Sequence, residues 1–279
     1  LLAALIIVFR EVFEAGLIVG IVLAATQTVP RRGRWIAGGI LGGILGSCVV
    51  AFFAGTIASL FEGMGQELFN AAVLGVAVVM LTWHNVWMSR HGKELAAEVH
   101  AVGRAVVEGT KSLAALAIVI GIAVLREGSE IVLFLYGILT SEASDLTGVA
   151  LGGAAGLTLG ALVSLITYRG LVRIPMRHLF AVTTALIALL AAGMAAQAVS
   201  FLERADVVTW FGATVWDSAW LLPQKSLIGS ALHTLVGYSD RPTMMQLLAY
   251  LASLAVTYIL MRMTAGEHKR LNRGAAAAE

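Results

Sequence analysis

Seven apolar runs of about 20 residues, joined by polar connections, restrict this chain to one kind of fold. A helix needs about 20 residues to cross a hydrocarbon core of about 30 Å. In lipid every backbone polar group must find its partner inside the chain, which an α-helix achieves by itself. The runs fall near Leu1–Ala25, Trp35–Phe61, Glu67–Met88, Ser112–Leu139, Gly148–Tyr168, His178–Phe201 and Met244–Arg262. Composition agrees: 59% of the 279 residues are hydrophobic and 13% are charged, where soluble domains carry about 25% charged residues. The expected class is an all-α polytopic membrane protein with seven transmembrane helices. The single cysteine, Cys48, excludes an intrachain disulfide and a cysteine-built metal cage. The N-terminal run has no basic flank and holds Arg10, Glu11 and Glu14, so it does not read as a cleavable signal peptide.

The connections alternate in charge. Arg31, Arg32 and Arg34 lie in the first; Arg90, Lys93, Arg104 and Lys111 in the third; Arg169, Arg173 and Arg177 in the fifth; Arg262, Lys269, Arg270 and Arg273 in the tail. The even-numbered connections hold only Arg204, Lys225 and Arg241, all in the sixth. The positive-inside rule then puts the N-terminus out and the C-terminus in, as seven crossings require. The outer connections are acidic, with Glu62, Glu67, Glu142, Asp145, Glu203, Asp206, Asp217 and Asp240. They serve either plain solubility or an electrostatic funnel for cations.

Within the apolar runs, one charged pattern occurs twice: Arg10-Glu11-Val12-Phe13-Glu14 and Arg126-Glu127-Gly128-Ser129-Glu130, both R-E-x-x-E. On a helix the two glutamates of each copy share a face, and the arginine reaches the second glutamate at i,i+4. Each ionisable side chain at membrane depth costs roughly 2.5–3.5 kcal/mol on insertion scales, so six together mark a site or a pathway. Arg10 lies about 14 Å along its helix from the outer end, and Arg126 about 21 Å from the inner end. Both copies thus fall in the middle to outer half of the bilayer, where they can meet.

The pattern belongs to a larger repeat. R-E-x-x-E recurs 116 residues on, Leu41–Gly46 (LGGILG) answers Leu151–Gly156 (LGGAAG), and Leu68-Phe69 answers Leu179-Phe180. Three helices per half put the halves in opposite senses, a 3+3 inverted repeat with one extra helix, and its site is expected at the midplane between the halves. The chain reads as a single domain, 1–279. Repeat one covers 1–88, a cytoplasmic amphipathic linker 89–111, repeat two 112–203, an outer segment 204–243, and the seventh helix and tail 244–279. Leu95, Val99, Val102 and Val106 give the linker helical periodicity, so it is either a separate helix or a continuation of the third span. Its Glu94, Glu98 and His91 form either a metal-accepting or a solvated face. Trp210, Trp216, Trp220 and Pro223 suggest short interfacial helices in the outer segment.

Four carboxylates and two guanidiniums leave two net negative charges when all are ionised. All-oxygen ligation suits a hard cation, and ferric iron is harder than the divalent first-row ions. Glu11, Glu14, Glu127 and Glu130 are the candidate metal ligands, and Arg10 and Arg126 the charge-balancing groups. One glutamate of each pair is expected to face the shared cavity and the other to balance its arginine; which is which stays open. The competing readings are two buried ion-pair networks that lock helices together, or a proton relay through the same glutamates. His84, Asn85 and Gln197 either line the pathway or hydrogen-bond across helices. Asp217, Glu203 and Asp206 either form its outer mouth or cap loops. A haem-binding electron carrier would need paired intramembrane histidines, and of His84, His91, His100, His178, His233 and His268 only His84 falls inside a span. No haem is expected.

With R-E-x-x-E in the first and fourth spans, seven helices and an outer N-terminus, the chain resembles the oxidase-dependent iron permease family. That family includes the fungal high-affinity iron permeases and the bacterial EfeU-type permeases. Trp216-Asp217-Ser218 through Gly229, with Gly237-Tyr238, Arg241-Pro242 and Gln246, is similar to the family's last outer loop and seventh helix. The family motif is commonly R-E-G-L-E, and here only its charged frame is kept. The resemblance implies high-affinity iron import across the cytoplasmic (inner) membrane, with the four glutamates as ligands along the path. It also implies a periplasmic or extracellular iron oxidase or cupredoxin-like iron-binding partner that converts ferrous to ferric iron, and no nucleic-acid partner. A permease for lead or manganese on the same scaffold is the alternative.

Overall fold

The computed structural model describes residues 1–60, 65–139, 146–170, 176–224 and 226–275, with side chains described except at 57–60, 89–93, 95, 176–180, 227, 234–235 and 264–275. Glu62, Glu142, Asp145, Arg173 and Lys225 lie outside the described residues, as do the side chains of Arg90, His91, Lys93, Leu95, Arg177 and His178. Eight helices are described: α1 (Leu2–Ala25), α2 (Arg32–Leu60), α3 (Gln66–Val107), α4 (Ala114–Leu139), α5 (Leu146–Tyr168), α6 (Met176–Arg204), α7 (Leu227–Val236) and α8 (Met244–Ala275). Five contain stretches long and apolar enough to cross a membrane: Arg32–Thr56, Gln66–Met88, Leu146–Tyr168, Ala181–Arg204 and Met244–Met263. α1 and α4, of 24 and 26 residues, match them in length. They differ in holding the Arg-Glu-Glu frames.

The helices form two compact units. One comprises Leu1–Met64 with Lys93–Thr183, the other Gly65–Gly92 with Thr184–Glu279. In the first, α1 packs on α5, α4 packs on α2, and α1 meets α4, so the two motif helices occupy the centre of a four-helix row. Glycines set both outer pairings, because a helix approaches closely only where its neighbour has no Cβ in the way. Gly39 faces Ala117 and Ile120, and Gly43 faces Gly121 and Val124. On the other pair, Gly152 faces Leu1 and Ala4, and Gly156 faces Leu5, Val8 and Phe9. Contacts advance in step along both chains, so α2 runs parallel to α4 and α5 parallel to α1. The two pairings share one register: 116 residues separate Leu1 from Ala117 and Ala4 from Ile120, while 113 separate Gly39 from Gly152 and Gly43 from Gly156. The LGG match in the sequence runs at 110, three residues from the register that packing selects.

One end of this unit is an apolar cluster of Ile18 and Val22 (α1), Ile36 (α2), Val99 and Val106 (α3), and Leu116 and Ile120 (α4). Late α1 thus lies beside early α4, and these two helices are antiparallel. The linker is a continuation of α3, 42 residues long in all, because Val99 and Val106 have this cluster to bury into while Glu94 and Glu98 stay exposed. The α1–α2 turn is closed by Arg32, whose guanidinium donates to the Leu23 carbonyl at 3.0 Å and satisfies one of the open carbonyls of a helix end.

In the second unit, the tryptophan-bearing stretch is not helical. Its backbone bonds instead to residues 240–243, with Val215 N–H on the Pro242 carbonyl, Ser218 N–H on that of Asp240, and an antiparallel bridge between Thr214 and Thr243. The Trp216 indole donates to the Ser239 carbonyl at 3.2 Å. Helix begins only after Pro223, where Ser226 caps α7 by accepting from the Gly229 N–H at 3.0 Å. α7 ends at Gly237, which takes φ 70° and lies against Gly193 of α6 with no room for a Cβ on either side. Both demands select glycine.

Candidate functional site

The charged frames sit where α1 and α4 meet. In the first copy the Arg10 Nε donates to Glu14 Oε1 at 2.8 Å, and its terminal nitrogen lies 3.7 Å from Glu11. In the second, Arg126 Nε lies 3.3 Å from Glu130 and 3.8 Å from Glu127. Arg10, Glu11, Glu14 and Glu127 are buried, Glu130 is partly buried, and Arg126 is 31% exposed. One carboxylate oxygen each from Glu11, Glu127 and Glu130 lie within 4.8 Å of one another. Glu14, clamped by Arg10, stands outside that group.

This divides the four glutamates in a way their spacing left open. The first glutamate of each copy turns to the shared centre, and Glu130 joins them. Three carboxylates this close in a buried site repel one another strongly. A cation among them relieves the repulsion, and the carboxylate oxygens offer the hard donors such an ion takes. Arg126 supplies part of the compensating charge.

His84 and Asn85 are buried on α3 in the second unit, and the Asn85 amide donates to the Thr184 carbonyl at 3.2 Å, a cross-helix bond. Gln197 Nε2 is 2.6 Å from His233 Nε2, and His233 Nδ1 is 2.6 Å from the Tyr238 carbonyl. A carbonyl only accepts, so Nδ1 carries the proton and Gln197 donates to Nε2. Glu203 accepts from the Thr243 hydroxyl and the Gln246 amide, both at 2.7 Å, and ties the end of α6 to the start of α8. Asp217 is half exposed, pairs with Arg241 at 3.0 Å and accepts from the Ala219 N–H at 3.1 Å. Its hydrogen bond from Arg241 holds its carboxyl below the usual aspartate range. Asp206 is exposed at the αL turn (φ 55°) that ends α6. Asp217 and Glu203 thus both hold contacts that tie loops to helix ends.

Sequence reasoning missed two serines beside the motifs. Ser47 donates to the Gly43 and Leu125 carbonyls and packs against Gly128. Ser164 donates to the Gly160 carbonyl and packs against Gly16. Their signal was a small polar residue continuing a glycine stripe.

Apolar helices of spanning length with a buried carboxylate cluster where α1 meets α4 are features of a multi-pass membrane transporter. Residues 1–267 match the profile of the Iron permease FTR1 family, and the chain belongs to that family. It is similar to the protein named Ferrous iron permease EfeU of Escherichia coli O6:H1 (strain CFT073), 29% identical over 262 residues that cover 91% of this chain and 94% of that one. The protein of the same name in Yersinia pestis is 29% identical over 269 residues, 94% of each chain. That of Shigella sonnei (strain Ss046) is 29% identical over 242 residues, 85% of this chain and 87% of its own. No solved structure matches. The chain is a multi-pass transporter of the inner membrane.

Proposed function

We propose that this chain imports iron through the cytoplasmic membrane, with Glu11, Glu127 and Glu130 forming the point on the path where the ion is held. One observation carries the reading: carboxylate oxygens of these three residues converge within 4.8 Å, between two helices of spanning length. The relatives' names support iron as the cargo. A ligand set of oxygen without sulfur favours the ferric ion, so ferrous iron is oxidised by an extracytoplasmic partner before it enters. An oxidase or cupredoxin-like partner does this.

The same reading gives the chain seven crossings, α1–α6 and α8, with the N-terminus outside and the C-terminus in the cytoplasm. Repeat one (1–88) and repeat two (112–203) enter in opposite senses. The shared register of α1 on α5 and α4 on α2, with α1 and α4 antiparallel, supports that inversion. So does the charge alternation of the connections. Two short arcs of carboxylate from inverted halves then form one site near the midplane. Arg10 and Arg126 balance the charge that remains.

The test is uptake of radioactive iron into proteoliposomes. Glu11→Gln and Glu127→Gln preserve side-chain shape and remove charge, so both variants should reach the membrane at normal levels and take up iron only at background. Wild-type uptake by the double variant would remove these residues from the path. Preference for manganese or lead over iron in competition would overturn the cargo.

A further inference from the structure

The two motifs carry one charged frame in two different settings. The Arg10 side chain is 2% exposed and held 2.8 Å from Glu14. Arg126 is 31% exposed and spans Glu130 at 3.3 Å and Glu127 at 3.8 Å. The two residues between the charges differ as well. Phe13 is fully buried and stacks on Phe9 with ring centroids 6.0 Å apart, and Val12 fills the space at Gly160. In the second copy Gly128 lies against Ser47, and the Ser129 hydroxyl turns back to the Leu125 carbonyl at 2.6 Å. The carboxylates diverge in parallel, since Glu130 belongs to the close group with Glu11 and Glu127, and Glu14 does not.

We infer that the duplicated motif has divided its work. Arg10 and Glu14 form a fixed brace, while Arg126 is a tethered cation that holds the carboxylate cluster when the site is empty and gives up Glu127 and Glu130 to an entering metal ion. The inference rests on the reading of this cluster as a point on an iron path. A guanidinium within 4 Å of two carboxylates competes with any metal for the same oxygens. It cannot lose its proton at accessible pH, so it yields only by moving, and its partial exposure gives it the room that Arg10 lacks. Its return makes the site release the ion. A conducting site must bind firmly enough to admit an ion and weakly enough to let it go. Arg126 sets that balance as a positioning and release residue.

The test compares three variants of the full-length protein in detergent for equilibrium binding of radioactive ferric citrate, and in proteoliposomes for initial uptake. Arg126→Gln should bind iron about tenfold more tightly and turn over about tenfold more slowly, with an unfolding temperature lowered far less than by Arg10→Gln. Arg126→Lys keeps a mobile charge and should return both values to within about twofold of wild type. Arg10→Gln should lower the unfolding temperature. Unchanged or weaker binding by Arg126→Gln, or destabilisation equal to that of Arg10→Gln, would overturn the division of roles and leave the iron reading standing. Absence of both iron binding and uptake in the wild-type protein would overturn the iron reading, and this inference with it.

Discussion

Replacing Arg10 with Met tests the brace directly. The guanidinium stands 2.8 Å from Glu14 with both side chains at most 2% exposed, so the Coulomb attraction at an effective dielectric of about 20 is about 6 kcal/mol. Desolvation of both charges offsets much of that, which is why the intact pair adds little net stability. Removing one member is another matter, because the remaining charge stays buried without its main counter-charge. Arg10→Met should therefore cost about 3–5 kcal/mol. Arg10→Met with Glu14→Leu replaces the pair by apolar volume and should recover to within about 1–2 kcal/mol of wild type. A double-mutant cycle then gives a coupling that distant, independent residues do not show. Arg126→Met is the internal control. Its ion pair is longer and nearly a third exposed, so solvent screening leaves an effect of about 1 kcal/mol. Denaturant unfolding in mild detergent, followed by fluorescence of the six tryptophans, reads these proteins together with the Glu14→Leu single variant that completes the cycle. A loss under about 1 kcal/mol in Arg10→Met, or a larger loss in Arg126→Met, would refute the reasoning.

Two further predictions concern packing and pH. Leu at Gly43 would meet the Gly121 carbonyl and the Val124 side chain, and Leu at Gly156 would meet the Leu5 carbonyl and Phe9 N–H, whereas Gly38 and Gly42 of the same stripe have nothing within 4 Å. Gly43→Leu and Gly156→Leu should each cost at least about 1–3 kcal/mol, while Gly38→Leu and Gly42→Leu are tolerated. Melting curves of the solubilised protein check this, and equal sensitivity at Gly42 and Gly43 would contradict the helix register. Asp217 titrates below the ordinary aspartate value of 3.8 because Arg241 bonds its charged form. A carboxyl whose folded value is depressed stabilises the fold above its unfolded value and loses that contribution as pH falls through the folded one. Asp217→Asn should hence speed hydrogen exchange in residues 214–222 at neutral pH, with variant and wild type converging once the pH drops below the depressed value.

Much of the fold could be read from the sequence, because membrane helices announce themselves by length and hydropathy. The run Leu1–Ala25 became α1 at Leu2–Ala25, and Ser112–Leu139 became α4 at Ala114–Leu139. The continuation of α3 to Val107 had its signal in the spacing of Val99 and Val106, but not the cluster that made continuation worthwhile. The Trp-rich segment misled for a physical reason. Amphipathic aromatics mark an interface by composition, while the backbone conformation was decided by hydrogen bonds to residues 240–243, more than 20 positions away.

The site was legible to the level of the frame and no further, and the missing step is rotational. Residues three apart on a helix share a face, so Glu11 and Glu14 are equivalent until something fixes how α1 is turned. That something is the glycine register: Gly152, Gly156 and Gly160 seat α1 on α5, and Gly39 and Gly43 seat α4 on α2. With both helices turned by equivalent contacts, equivalent glutamates should converge, and Glu11 and Glu127 do. Glu14 and Glu130 obey the same register yet part company, so helix rotation cannot be the cause of their difference. The pair of residues between the charges differs between the copies. Phe13 is buried and stacks on Phe9, whereas Gly128 lies against Ser47 and the Ser129 hydroxyl bonds back to the Leu125 carbonyl. A swap of these dipeptides between the copies should carry the exposure of the arginine with it. It should transfer the mutational sensitivity of Arg10 to Arg126, measured as loss of unfolding free energy on replacement by Met. If sensitivity stays with Arg10 after the swap, the asymmetry comes from beyond the motif.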